Sequence, residues 1–283
     1  MTDTSMKGRT CLVTGATSGI GRVVSLELAF RGATLVMSGR NAALCSEVRE
    51  SIASATGNEN VEFLVADLSS QDQVRRLAAE FLEKHDCLHV LVNNAGGIFG
   101  ERMVTEDGLE HTFALNHLGY FLLTHLLLDT LKASAPARII SMTSGAHAPG
   151  TMNFDDLEYE KGWRSFPAYA RSKLANILFT RELSRRLEGT NVTVNCVAPG
   201  FVSTKFGQSG SPLFSKLMDI IDFVRISPEK GADTCVWLAT SPDVEQETGG
   251  YFRRRRRKNP ARLARDDEVA RRLWEASEKM AGI

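Results

Sequence analysis

The sequence predicts an α/β fold, a doubly wound parallel sheet with helices on both faces in a single domain. Three observations predict it. Short apolar or β-branched runs alternate with segments of helical period along most of the 283 residues. Runs such as Cys11-Leu-Val13 and Val90-Leu-Val92 are apolar at successive positions, as strands covered on both faces should be. The first run leads directly into a glycine-rich turn that opens a helix.

Taken in order, the β-branched and apolar runs place strands at Thr10–Thr14, Thr34–Ser38, Val61–Ala66, Leu88–Asn93, Ala137–Met142 and Val192–Ala198. The helix-period segments between them are Gly19–Arg31, Ala42–Thr56, Ser70–Lys84, Gly108–Lys132 and Pro167–Leu187. Two further helices, Pro228–Ala239 and Asp266–Ala281, flank a last short strand at Gly249–Phe252. Neither an internal repeat nor linker-like composition divides the chain.

Composition narrows the function classes. A hydrophobic content of 43% supports a packed core, and a formal net charge of zero gives no reason to expect nucleic acid as a partner. The five cysteines are scattered and odd in number, without metal-ligand spacing, and read as reduced thiols of an intracellular protein. The polar start offers no signal peptide. The longest apolar stretch, Leu115–Leu131, is interrupted by Asn116, His117, His125 and Asp129, so no membrane span is expected. The expected location is cytoplasmic.

Two motifs carry chemistry. The turn after the first strand reads Thr14-Gly15-Ala16-Thr17-Ser18-Gly19-Ile20-Gly21. Its glycines allow main-chain N–H groups to approach a pyrophosphate, and the helix start adds partial positive charge. The end of the second strand, Ser38-Gly39-Arg40, carries no carboxylate for a ribose 2′-hydroxyl. Arg40 instead suits a 2′-phosphate, so the expected cofactor is NADP(H). The second motif is Tyr169-Ala-Arg-Ser-Lys173. Residues four apart share a helix face, and an ammonium beside a phenol favours the phenolate and would draw its pKa down from about 10. Such a pair can give and take a proton near neutrality.

Together with other positions, these motifs resemble the short-chain dehydrogenase/reductase family. The matches run from about Lys7 to Thr204: the glycine loop, Asp67-Leu68, Asn93-Asn94-Ala95-Gly96, Asn116, Ser144, Tyr169 with Lys173, and Pro199-Gly200. A narrower likeness is to the retinol dehydrogenase branch. It rests on the run from Asn116 to Leu128, Ser134-Ala-Pro-Ala-Arg138, the stretch from Ser172 to Leu183, Phe154-Asp-Asp-Leu157 and Arg272-Leu-Trp274. WW-domain oxidoreductases and light-dependent protochlorophyllide reductases are similar neighbours.

The resemblance implies a Rossmann-like sheet and a set of roles. Tyr169 is the acid in reduction and the base in oxidation. Lys173 lowers the phenol pKa and holds the nicotinamide ribose. Ser144 donates to the substrate oxygen, with a turn serine satisfying its own backbone as the lesser alternative. Asn116 interrupts helix hydrogen bonding and orders a water that relays protons to Lys173. Gly15, Thr17, Ser18, Gly19, Ile20 and Gly21 hold the pyrophosphate, while Asp67 and Leu68 face the adenine. Asn93, Ala95 and Gly96 lie beneath the cofactor, and Pro199, Gly200 and Thr204 border the nicotinamide. Association into a homo-oligomer through the helices around Gly108–Lys132 and Pro167–Leu187 is a further implication.

A segment at about 203–227 has Leu213, Phe214, Leu217, Met218, Ile220, Ile221, Phe223 and Val224 at helical spacing; the resemblance implies that it covers the substrate as a lid, and the alternative is that these residues complete the core. Its apolar content points to a greasy carbonyl or alcohol such as a retinoid, steroid or lipid aldehyde. The C-terminal segment, about 249–283, contains the basic run Arg253–Lys258. The run reads as a solvated loop balanced by Asp266, Asp267 and Glu268, or as a peripheral contact with an anionic membrane. The function expected is an NADP(H)-dependent oxidoreductase. The alternative is a dinucleotide-sensing binding protein that has kept the fold without turnover.

Overall fold

The structure, a computed structural model, describes residues 4–200 and 227–283. The expected alternation is present. Strands β1 (Thr10–Thr14), β2 (Thr34–Gly39), β3 (Val61–Val65), β4 (Val90–Asn93), β5 (Ala137–Met142), β6 (Val192–Val197), β7 (Gly250–Arg253) and β8 (Arg256–Lys258) form one sheet in the order β3-β2-β1-β4-β5-β6-β7-β8. All neighbours pair in parallel except β7 with β8. Strand order reverses between β1 and β4, which opens a crevice at their carboxyl ends.

Helices α1 (Gly19–Phe30), α2 (Ala42–Thr56) and α8 (Pro228–Thr240) cover one face. There Val24, Leu28, Val48, Ile52 and Cys235 pack on Val13, Val92 and Ile140 of the strands. The other face carries α3 (Gln71–Lys84), α5 (Gly119–Leu126), α6 (Leu128–Ala133), α7 (Ser165–Arg186) and α9 (Asp267–Ala281). Val74, Phe81, Phe121, Phe179 and Trp274 pack there on Leu12, Leu91 and Ile139. The alternation of strand side chains between two apolar layers leaves β1, β4 and β6 buried throughout, whereas Glu62 of β3 and all of β8 are exposed.

Three expectations are corrected. The long helix over Gly108–Lys132 is broken. A short α4 (His111–Phe113) leads into a π-turn at Ala114–Leu118, where Gly119 N–H reaches back five residues to Ala114, and Leu127 separates α5 from α6. The basic run is not a loop but a β-hairpin, in which Arg253 pairs with Arg256 across a two-residue turn. Arg254 and Arg255 both take left-handed conformations, at φ 53° and 52°. That turn matches the right-handed twist of the strands, at a cost of about 1–2 kcal/mol for each non-glycine residue. Nor do Asp266, Asp267 and Glu268 balance the run: Asp266 caps α9, Asp267 pairs with Arg181 and Arg185, and Glu268 pairs with Arg271.

The middle of α7, every residue from Arg171 to Thr180, is buried within the chain. The chain's own α9 lies along that helix. Trp274 stacks on Phe179 at 6.0 Å and meets Phe121 edge-on at 4.8 Å.

Candidate active site

The crevice between β1 and β4 is held shut below the sheet edge by side chains. Thr14 Oγ accepts from the main-chain N–H groups of Asn94 and Ala95 at 2.9 and 3.1 Å. The Asn94 amide donates to the main-chain oxygens of Thr14 and Gly15 at 2.8 and 3.1 Å. Gly15 has φ 63°, and a Cβ there would lie 2.7 Å from Ala95 Cα. A Cβ on Gly21 would overlap the Gly15 oxygen, so the helix start can approach the strand only as glycine. Ser18 at the N-cap of α1 makes no side-chain cap, and no acidic residue lies in the first turn. The N–H groups of Gly19, Ile20 and Gly21 therefore lack the cap that would compete with an anion.

Along the same edge, Arg40 is exposed and makes no ion pair among the described residues. Asp67 turns one carboxylate oxygen to Ser69, at 2.9 Å from its N–H and 2.7 Å from its hydroxyl, as a turn acid would. Leu68 is buried, and its oxygen sits where a Cβ on Gly119 would fall. His111 faces both Arg40 and Asp67; burial lowers its pKa and the Asp67 charge raises it. Asn93 at the end of β4 donates its amide to Thr124 Oγ of α5 at 2.9 Å, tying the strand to that helix, and Asn94 ties the glycine loop down. Pro199 and Gly200 end the first described stretch, with Gly200 at φ 96°. Thr204 and the expected lid to 226 lie outside the described residues.

Tyr169, Ser144 and Lys173 come together above the ends of β4 and β5. The Ser144 side chain hydrogen-bonds the Tyr169 hydroxyl. It also accepts from Ala146 N–H at 3.1 Å, so the turn-serine reading and the functional one both hold. Lys173 Nζ lies 5.6 Å from the Tyr169 ring centre and donates to the Met142 oxygen at 3.4 Å. Burial governs both groups: it pushes the Tyr169 hydroxyl up to about 12, against the Ser144 hydrogen bond, and draws Lys173 down to about 7. Burial is the larger influence on the Tyr169 hydroxyl here, and the role of Lys173 toward the phenol is one the resemblance assigns.

Asn116 lies in the π-turn, as an interruption of regular helix hydrogen bonding requires. Its side chain clasps Gly97, accepting from the N–H and donating to the oxygen, both at 2.8 Å. A Cβ on Gly96 would lie 2.8 Å from Asn116 Oδ1 and 3.4 Å from Lys173 Nζ. The Asn116 main-chain oxygen accepts from the Asn176 amide at 2.9 Å. Asn176 also donates to the Met142 oxygen, at 3.0 Å, and so shares that acceptor with Lys173. With both amide hydrogens used, Asn176 Oδ1 faces His117 Nδ1 at 3.3 Å as an acceptor. Neutral His117 then carries its proton on Nδ1, and its Nε2, 2.9 Å from Ser277 Oγ of α9, is the acceptor.

Sequence reasoning missed Asn94, Asn176, His117 and Ser277. The available signals were modest. Asn176 lies three residues after Lys173 on one helix face, and His117 adjoins Asn116.

A glycine cradle, an uncapped helix start and a buried Asn–Ser–Tyr–Lys set now stand in one crevice, and the profile of the short chain dehydrogenase family matches residues 9–212. The chain belongs to the short-chain dehydrogenase family. Within this oxidoreductase family it is retinol dehydrogenase-like. It is 42% identical to human retinol dehydrogenase 13, over 99% of this chain and 86% of that protein. It is 44% identical to human retinol dehydrogenase 14, over 98% of this chain and 88% of that one. A Mycobacterium paratuberculosis protein described as putative and uncharacterised has the same fold, with a TM-score of 0.80 and 31% identity over 98% of this chain and 94% of its own. A Pseudomonas aeruginosa RhlG/NADP active-site complex is similar at a TM-score of 0.71 and 29% identity, over 89% of this chain and 96% of its own. Among the described residues, no helix is long and apolar enough to cross a membrane.

Proposed function

We propose that this oxidoreductase uses NADP(H) to reduce an apolar carbonyl compound, of the class of retinoids, steroids or lipid aldehydes, with Tyr169 as the acid. The observation that carries the reading is the Ser144–Tyr169 hydrogen bond beside buried Lys173. With its hydroxyl pushed up to about 12, Tyr169 is protonated at neutral pH and so stands in the form that donates in the reductive direction. Ser144 is positioned to donate to the same substrate oxygen and stabilise charge developing there. The names of the relatives, retinol dehydrogenases 13 and 14, support a retinoid-like substrate.

The residues present fit a nicotinamide dinucleotide, because the Gly15 and Gly21 positions leave no room for side chains and the α1 start is uncapped. When bound, that group supplies the hydride. Gly15, Thr17, Ser18, Gly19, Ile20 and Gly21 would hold its pyrophosphate, Asp67 and Leu68 its adenine, and Lys173 its nicotinamide ribose. Ala95, Gly96, Pro199 and Gly200 would border it, and Thr204 is assigned to the carboxamide. Arg40, exposed and without a counter-charge among the described residues, supports a 2′-phosphate.

The test is NADPH oxidation against retinal, medium-chain aldehydes, steroid ketones and quinones, with Tyr169→Phe in parallel. Turnover that Tyr169→Phe removes while cofactor binding persists supports the reading. Turnover that survives the substitution refutes Tyr169 as the acid.

A further inference from the structure

The basic hairpin stands where the parallel sheet ends. β7 runs parallel to β6, with Val197 opposite Phe252, and Ala198 N–H donates to the Phe252 oxygen at 2.9 Å. Thr143 N–H in turn donates to the Val197 oxygen at 2.9 Å. Arg253 is therefore level with Ala198 and Thr143, the residue before Ser144. It stands two strand spacings from Thr143, about 10 Å. The turn Arg254-Arg255 extends beyond the same carboxyl edge that carries Ser144 and Pro199-Gly200.

Strand alternation decides which cations look toward the catalytic side. Phe252 points into the α1–α8 layer and Tyr251 into the α7 layer. Arg253, two residues after Tyr251, shares its face, and Arg256 and Lys258 are the cross-strand partners of Arg253 and Tyr251. That face adjoins the turn after Ser144. The His147 ring meets Tyr251 edge-on at 5.1 Å, and His147 Nε2 accepts from Ala261 N–H at 3.1 Å, just beyond the hairpin.

The charges divide along the same line. Arg255 pairs with Asp233, with one contact at 2.9 Å, and Arg257 pairs with Glu247 at 2.7 Å. Arg253, Arg254, Arg256 and Lys258 are exposed and have no acidic partner among the described residues. Two non-glycine residues in left-handed conformations hold these like charges together. Backbone strain and charge repulsion concentrated beside a reaction centre point to a counter-charge supplied from outside the chain.

We propose that Arg253 and Arg256 form an anion-recognition subsite at the catalytic mouth. The preferred substrates are then amphiphilic, an apolar carbonyl compound ending in a carboxylate or phosphate, since Arg253 stands about 10 Å, two strand spacings, from the end of β5 that carries Ser144. This deepens the reductase reading and rests on it. Guanidinium pairs suit such groups through charge-assisted, two-pronged hydrogen bonds. Arg253 and Arg256 lie on the sheet face whose Tyr251 meets His147 of the Ser144 turn, which favours recognition of the substrate's own anion over docking on a lipid surface.

The experiment compares kcat/KM for 10-oxodecanoate and decanal with NADPH, in the wild-type chain, in Arg253→Ser/Arg256→Ser, and in Arg76→Ser on α3 as a remote charge control. The expected result is a preference for the carboxylate of at least about tenfold, which is about 1.4 kcal/mol. That preference collapses toward unity in the double variant and persists in Arg76→Ser. Equal rates on both aldehydes in the wild-type chain overturn the proposal. A preference that the double variant retains overturns it too.

A second arm measures calorimetric binding of decanoate and decanol, which does not depend on turnover. Tight decanoate binding that the double variant loses upholds the subsite even if neither aldehyde reacts, and the reductase reading alone then fails. Decanoate binding no tighter than decanol overturns the subsite. So does co-sedimentation with vesicles containing phosphatidylserine, but not pure phosphatidylcholine, when it occurs without any substrate preference. The run then serves a membrane surface.

Discussion

Asn176 Nδ2 donates to the main-chain oxygen of Asn116 at 2.9 Å, joining α7 to the π-turn beside the catalytic lysine. The other hydrogen of the same amide goes to Met142, whose oxygen Lys173 also uses. Asn176 thus fixes two of the surfaces against which Lys173 rests.

Asn176→Ala should leave two buried carbonyls short of a donor and cost about 2 kcal/mol or more of stability. Reductive kcat should fall about tenfold from misplacement of Lys173, while the cofactor Kd changes little. Denaturant unfolding and steady-state kinetics on the same preparation check this. A stability loss with unchanged kcat would make the residue purely structural.

Lys173 titrates near 7, far below Tyr169 at about 12. The kcat/KM for reduction should hold below pH 7 and decline above it as the ammonium that steadies a developing phenolate is lost. A profile flat to pH 9 would show that bound cofactor restores the lysine to its ordinary value.

His117 is fully buried, and desolvation takes it from 6.5 down to about 4, against the Asn176 hydrogen bond. Its unfolded form binds a proton below about pH 6.5 and its folded form only near 4, so stability rises with pH across that window. The contribution is complete above 6.5 and is lost as pH falls toward 4, amounting to about 3 kcal/mol. Urea unfolding between pH 4 and 7 should show this limb, and His117→Gln should flatten it. Protonation would reverse the Ser277 bond, with the ring donating and the hydroxyl turning to the Leu273 oxygen 2.7 Å away.

Arg40→Asp should move cofactor preference from NADPH toward NADH by about a hundredfold or more, since it exchanges a charge-assisted partner for a repulsive one. Kd values for both dinucleotides check it, and an unchanged ratio would remove Arg40 from the site.

Arg254→Gly relieves one left-handed residue and should stabilise the protein by about 1 kcal/mol, or about 2–4 °C in Tm. Differential scanning calorimetry reads this directly. No gain would mean that the turn is held by something other than its own backbone.

Much of this molecule could be read from residue order alone. The strands fall within a residue or two of the apolar runs because burial on both faces leaves no polar positions to blur them. Tyr169 and Lys173 stand out because four-residue spacing is itself the geometry of the pair. The helix around Asn116 was read as continuous because a π-turn changes only which carbonyl each N–H reaches, and no side chain announces that. Strand β8 was hidden because its three residues are all cationic and exposed, so its pairing rests on the turn and on β7 rather than on any alternation. Asn94 escaped because its partners are main-chain atoms of β1. His117 escaped because its partners lie 59 and 160 residues away.

The bond between His117 and Ser277 gives the last helix a say in chemistry carried elsewhere in the chain. A polypeptide released before α9 would still contain the glycine loop, Ser144, Tyr169 and Lys173. It would nevertheless enclose a ring nitrogen with no hydroxyl to meet it, and would expose the flank of α7 that Trp274 covers. Closure of this face therefore waits on the last helix, and a copy without α9 leaves the apolar flank of α7 uncovered.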